Sequence, residues 1–246
     1  MRATVLSDLA TLLLAVPTLV VVLVVARRGS GRARLVWLGV LAYTVYNYAF
    51  YLFGTAFIDF FLLHAALESL SLITMIGAVS PVLAVPGTVT PVPARLVAGY
   101  KAVVGVMFAA MWIARAVRYL ATGTLPKLIS DSGIHTSIVF ALDLTLIVPA
   151  FLIGPVLLWR GHPAGAVAGV AMNVLGVLYM AVRAFAGGFQ AHAGISGKSW
   201  ADPAWIELAI TSLAACWLLP RHLTASAGPG ARPTRSGRPA GMTSNQ

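Results

Sequence analysis

The sequence contains seven apolar runs, each long enough to cross a lipid bilayer as a helix. About 20 helical residues span a hydrocarbon core of ~30 Å. The chain is 59% hydrophobic and only 10% charged, a balance typical of membrane proteins and not of water-soluble domains. We therefore predict an all-α fold, a polytopic transmembrane helix bundle. Its spans are expected at about 5–26, 35–57, 60–79, 96–119, 138–159, 165–187 and 204–220.

The basic residues set the orientation of such a bundle, because loops rich in Lys and Arg stay on the cytoplasmic side. With the N-terminus outside, eleven of the seventeen basic residues fall on the inner side. The C-terminus is then cytoplasmic, and residues 221–246, rich in Gly, Pro, Ser and Arg, are expected to form a disordered basic tail. Arg outnumbers Lys fourteen to three. This bias is typical of high-GC bacteria, so we expect a bacterial inner (plasma) membrane.

The net charge of +10 does not indicate a nucleic-acid partner, because the basic residues cluster in short loops beside the apolar runs. The expected partners are the lipid bilayer and a small-molecule or ion ligand. The single cysteine, Cys216, excludes an internal disulfide and any Cys-rich metal or iron–sulfur site. The sequence has no Gly-rich phosphate-binding motif and no GxSxG. No cofactor and no nucleotide-driven activity are therefore expected, and no catalytic residue is assigned.

Polar residues inside the predicted spans gather toward the outer leaflet. Glu68 lies near the middle of the third span, with His64 one turn above it. A charge at mid-bilayer costs about 2.5–3.5 kcal/mol even on lenient insertion scales, so these side chains are expected to face the bundle interior. The pattern predicts an outward-facing polar cavity with Glu68 at its floor. The candidate ligand-binding residues are Tyr43, Asn47, Tyr51, His64, Glu68, Arg115, Asp143, Asn173, Arg183 and Glu207.

The second span contains AYTVYNYAFYLFG, which places four tyrosines and an asparagine in an apolar segment. Helical spacing predicts one inward face formed by Tyr43, Asn47 and Tyr51, with Tyr46 beside it. Tyr48 points away from that face, toward lipid or another helix. The face is interpreted either as one wall of the cavity or as a set of hydroxyls that bind neighbouring helices through hydrogen bonds of about 1 kcal/mol each.

The intramembrane charges have a second interpretation, in which they only hold the helices together. Three carboxylates are balanced by three arginines, and a planar guanidinium can grip a carboxylate with two hydrogen bonds. The residues available for such interhelical ion pairs are Glu68, Asp143, Glu207, Arg115, Arg118 and Arg183.

Three histidines on the outer side could offer nitrogen ligands to Zn²⁺. They are His64, His135 and His192, and they come from separate segments without the HxxxH spacing that would preorganise a site. No metal site is therefore predicted. In the fifth span, Pro149 and Pro155 are expected to distort the helix and to re-aim Asp143.

Two segments resemble a group of bacterial integral membrane proteins that has no known activity. They are YNYAFYLFG at residues 46–54 and DLTLIVPAFLIGPVLLWRGHPAG at residues 143–165, together under a fifth of the chain. The resemblance implies a multi-span membrane topology and no particular function.

Three functions fit these observations. The first is a sensor or transport-related protein that binds a small ligand or ion in the outer cavity. The second is a membrane-embedded enzyme that uses Glu68 and His64 as acid and base on a lipid-soluble substrate. The third is a structural or accessory subunit in which every charge is paired.

Overall fold

The computed structural model describes residues 2–54, 59–83, 87–89, 91–126, 129, 137–192 and 223–225. These residues form a helical bundle and one pair of short strands, which confirms the predicted all-α class. The helix Ile138–Trp159 includes a π-helical turn, Asp143–Ile147. The helices of the described part are α1 Arg2–Arg27, α2 Gly31–Gly54, α3 Phe61–Leu83, α4 Pro91–Thr122, α5 Ile138–Trp159 and α6 Pro163–His192. The strands are β1 Gly87–Val89 and β2 Leu223–Ala225.

Five of these helices, α2 to α6, are long and apolar enough to cross a membrane. They coincide with the second to sixth predicted spans. In the first helix, the apolar part Thr11–Arg27 is shorter than a full span. The predicted seventh span, 204–220, lies outside the described residues. The helices therefore fit a membrane protein with at least five candidate spans.

Strands β1 and β2 join the connection between α3 and α4 to a segment near the C-terminus. They pair antiparallel, with Gly87 opposite Ala225 and Val89 opposite Leu223. Residues 223–225 lie within the tail predicted to be disordered, and their backbone groups find partners in β1.

Helices α2 and α6 form the centre of the bundle. Helix α1 packs against both, α3 packs on α2, and α4 packs on α5, which itself lies against α6. The close approach of α2 and α6 depends on Gly39, because a Cβ atom there would lie 2.5 Å from the Cβ of Val174. Val40, Tyr43 and Val170 belong to the fully buried core.

The segment LLWRGHPAG forms a tight turn that makes α5 and α6 antiparallel neighbours. The N–H of His162 donates to the carbonyl of Leu157, and the N–H of Gly161 donates to that of Leu158. This is a Schellman motif, and it needs the left-handed backbone that Gly161 adopts at φ +71°. Pro163 then starts α6, where a missing N–H has no cost.

Candidate functional site

Asp143 lies at the start of the π-helical turn inside α5. The N–H of Val148 donates to the Asp143 carbonyl, five residues back, instead of the four of an α-helix. Pro149 follows directly, and its ring would crowd the carbonyl four residues before it in a regular helix. The distortion predicted near this proline therefore takes the form of a widened turn. Such π turns occur frequently at functional sites.

The Asp143 carboxylate is buried, with 6% of the residue exposed. The hydroxyl of Tyr46 donates a hydrogen bond of 2.6 Å to its Oδ1 atom, a length typical of an O–H bound to a carboxylate. The ring of Tyr179 stands edge-on to Tyr46, with centroids 5.5 Å apart. The indole of Trp112 lies near the carboxylate, but its buried Nε1 has no hydrogen-bond partner among the described residues. We call Tyr46, Trp112, Asp143 and Tyr179 the Asp143 cluster.

Two arginines border the Asp143 cluster without pairing with its carboxylate. The guanidinium of Arg115 lies over the Trp112 ring, 4.9 Å from the centroid. Arg183 is exposed and lies four residues after Tyr179 on α6, about one helical turn along the same helix. Among the described residues, no lysine or arginine nitrogen lies within 4.0 Å of a carboxylate oxygen of Asp143 or Glu68. The predicted ion pairs of these two carboxylates are therefore not formed within that part of the chain.

The tyrosines of α2 do not share one inward wall, which corrects the prediction for this stretch. The hydroxyl of Tyr43 lies 3.2 Å from that of Thr11 on α1, whereas Tyr46 meets α5 and α6. Tyr51 packs on α3, and Tyr48 joins it there. At about 100° per residue, positions 46 and 51 differ by about 140° around the helix. Because α2 lies at the centre of the bundle, each of its faces contacts a different neighbouring helix.

His64 and Glu68 have different surroundings, although they lie one turn apart on α3. His64 is buried, and its ring lies 5.3 Å from that of Tyr48 and 5.0 Å from that of Tyr51, measured between centroids. Glu68 is half-buried, and its buried Oε2 atom has no hydrogen-bond partner among the described residues. The structure therefore places His64 in an aromatic contact between α2 and α3, away from the Asp143 cluster on the opposite side of α2.

Two asparagines of the predicted site carry amide groups without hydrogen bonds in the part of the chain described. Asn173 on α6 is 0% exposed, and neither its Nδ2 nor its Oδ1 has a partner there. Asn47 is half-buried, and its Nδ2 is also without one. Buried amides of this kind usually bind water or a ligand. Within the described residues, these unpaired amide atoms make no hydrogen bond to the Asp143 cluster or to the rings around His64.

Several residues at these sites were not among the sequence-predicted candidates. Tyr46, Trp112 and Tyr179 surround Asp143, and Lys101 is 1% exposed, with its Nζ 4.4 Å from the centre of the Phe151 ring. Helical spacing weakly indicated Trp112 as a site residue. It lies three residues before the candidate Arg115, so the two side chains share one helix face. No local pattern connects Tyr179 to Tyr46, because their ring contact depends on how α2 and α6 pack.

The described residues contain no group of three or more His, Cys, Asp or Glu side chains arranged to hold a metal ion. His192 ends α6 and is exposed. The predicted candidates His135 and Glu207 lie outside the described residues. Asp143 combines burial with a short hydrogen bond to a neighbouring helix.

No known protein family, no curated protein and no solved structure matches this chain. The functional conclusions therefore depend on its own geometry.

Proposed function

We propose that the chain is a seven-span protein of a bacterial inner membrane, with its N-terminus outside and its C-terminus in the cytoplasm. Support for the seventh span comes from the two ends of the segment 193–222. Helix α6 ends at His192, at the end of the bundle where α4 finishes. Strand β2 lies beside β1, at the opposite end, where α4 begins. We infer from these two ends that the intervening chain returns along the bundle, and the apolar run 204–220 lies in that interval.

Support for the orientation comes from the distribution of charge between the two ends. Arg27, Arg95 and Arg160 lie at the end that carries β1. The positive-inside rule assigns such an end to the cytoplasm. The Asp143 cluster lies toward the other end and so belongs to the outer half of the bundle.

We further propose that this is a sensor or transport-related protein in which Asp143 binds a proton or another small cation from the outer side. One observation carries this proposal: a buried carboxylate accepts a short hydrogen bond from Tyr46 and has no basic partner within ion-pair distance among the described residues. A buried charge without a counter-ion is strongly disfavoured. A proton or a cation neutralises it, and intramembrane carboxylates commonly mark ion pathways.

The geometry gives less support to the two alternatives. An enzyme using Glu68 and His64 needs the two groups to act on one substrate, yet His64 is enclosed by Tyr48 and Tyr51 while Glu68 is half-exposed. An accessory subunit with fully paired charges needs partners for Asp143 and Glu68, and the described residues supply none within 4.0 Å.

The test is the thermal stability of the purified full-length protein in detergent, measured over a series of pH values and of Na⁺, K⁺ and Li⁺ concentrations. A ligand present at 100 times its Kd stabilises the folded state by about 2.7 kcal/mol. We expect a saturable change in the wild type for protons or for one cation. The change should disappear in Asp143→Asn.

The matched control is Asp59→Asn, which removes an exposed carboxylate in the turn between α2 and α3. This variant should respond as the wild type does. Identical responses of the wild type and Asp143→Asn to every cation and pH would refute the proposal, because the carboxylate would then bind nothing that affects the fold.

A further inference from the structure

The turns α1–α2 and α5–α6 lie at the same end of the bundle, because α2 and α6 run parallel. Gly39 of α2 lies against Val174 of α6. Further along both helices, the ring of Tyr46 packs on that of Tyr179. The first residues of α2 and α6, and the turns that lead into them, are therefore neighbours.

The start of α4 lies at this end as well, because α4 runs antiparallel to α5. Gly105 lies against Phe151, and further along α4 the ring of Trp112 packs on that of Phe140, with centroids 4.4 Å apart. The start of α4 is therefore level with the end of α5. Together these segments carry six arginines, which we call the arginine end: Arg27, Arg28, Arg32, Arg34, Arg95 and Arg160.

The guanidinium groups of the arginine end have no anionic partner in the part of the chain that the structure describes. All six residues are exposed, and within that part none of their side chains forms an ion pair or a hydrogen bond. The sequence gives the reason, because the stretches 9–58, 69–130 and 144–201 contain no Asp or Glu. Every turn of the arginine end lies in one of these stretches. The positive charge there is therefore not balanced by nearby carboxylates.

Trp159 independently indicates the depth of this end in a membrane. It immediately precedes Arg160, and 58% of it is exposed although it ends an apolar helix. Tryptophan is enriched at membrane–water interfaces, where its ring lies at the level of the lipid headgroups. An exposed indole next to Arg160 is therefore consistent with a guanidinium at the level of the lipid phosphates.

We propose that the arginine end binds anionic phospholipids, with its guanidinium groups against their phosphates. A guanidinium offers two parallel N–H donors to a phosphate. Clusters of about four to eight basic residues beside membrane helices bind anionic lipids, and each residue contributes a factor of about five in affinity. The positive-inside rule accounts for orientation and predicts no preference among lipids, whereas this inference names the lipid. It rests on the membrane location in the proposed function and does not depend on cation binding at Asp143.

The test is thermal unfolding of the purified full-length protein in a neutral detergent, titrated with phosphatidylglycerol. Phosphatidylcholine with the same acyl chains and inorganic phosphate are titrated in parallel. We expect a saturable rise of the unfolding midpoint with phosphatidylglycerol alone. The apparent Kd for this lipid should increase about fivefold in Arg160→Gln and about 25-fold in Arg95→Gln combined with Arg160→Gln.

The matched control is Arg118→Gln, which removes one exposed arginine toward the opposite end of α4. It changes the net charge as Arg160→Gln does, and its Kd for phosphatidylglycerol should equal that of the wild type. Because all three arginines are exposed, the variants should fold, and the unfolding midpoint without lipid verifies this for each of them.

Four results would overturn the inference. They are no shift with phosphatidylglycerol, an equal shift with phosphatidylcholine, an equal shift with inorganic phosphate, or an equal Kd in Arg118→Gln and Arg160→Gln. Binding of an RNA oligonucleotide in place of phosphatidylglycerol would also overturn it, because the partner would then be a nucleic acid. Recovery of the protein in the soluble fraction without detergent would instead refute the membrane location in the proposed function.

Discussion

Gly39 lies where the two central helices, α2 and α6, come closest together. A Cβ atom at this position would lie 2.5 Å from the Cβ of Val174 and 3.0 Å from the backbone oxygen of Ala171. Carbon atoms normally pack at about 3.5–4.0 Å, so Gly39→Ala should separate the helices by about 1–1.5 Å at this point. Neither the backbone oxygen of Ala171 nor the Cβ of Val174 can move away through a change of side-chain rotamer. We expect overpacking to lower the free energy of unfolding by about 1–3 kcal/mol.

The control is Gly77→Ala on α3, where an added Cβ meets no atom within 4 Å. Both substitutions gain the same helix preference of alanine over glycine, about 0.5–1 kcal/mol. The difference between the two variants therefore isolates the packing contribution. It would be measured by reversible unfolding in one detergent, followed by circular dichroism. Equal stability of Gly39→Ala and Gly77→Ala would show that α2 and α6 do not approach as the structure describes.

Two further predictions concern the Asp143 cluster and the contact between α4 and α5. A double-mutant cycle of Tyr46→Phe and Asp143→Asn should give a coupling energy of about 1.5–3 kcal/mol in unfolding experiments, typical of a buried hydrogen bond to a charged group; additive effects would mean that the bond is absent. Gly105→Ala should be less stable than Gly99→Ala, because a Cβ at position 105 would lie 2.9 Å from the backbone oxygen of Phe151 while one at position 99 meets nothing within 4 Å; thermal unfolding compares the two, and an equal midpoint would contradict the close packing of α4 on α5.

The long apolar helices were predictable from the sequence because hydropathy and length are local properties. The predicted spans 35–57 and 138–159 agree with α2 Gly31–Gly54 to within about four residues and with α5 Ile138–Trp159. Pro149 also predicted a distortion of its own helix, because a proline lacks the backbone N–H that would form a hydrogen bond one helical turn back. The strand β2 was not predictable, because its three residues gain their partners only through β1, more than 130 residues earlier.

The candidate site was only partly predictable, because helical spacing gives an angle around one helix and not the identity of its neighbours. Asp143 was identified from its charge and depth. Its partner Tyr46 is 97 residues away in sequence, and nothing local shows that these two side chains meet. The grouping of Tyr43 with Tyr51 failed for the same reason, because the central helix α2 has a different neighbour in each direction.

In the proposed function, the buried Asp143 carboxylate exchanges a proton or another small cation with the outer side. Infrared difference spectroscopy of the protein in lipid vesicles tests it directly, with the carboxyl stretch assigned by its loss in Asp143→Asn. A change of pH or of cation concentration outside the vesicles should alter this band in protein oriented as in the cell. A band that stays the same under every external condition would contradict the claim.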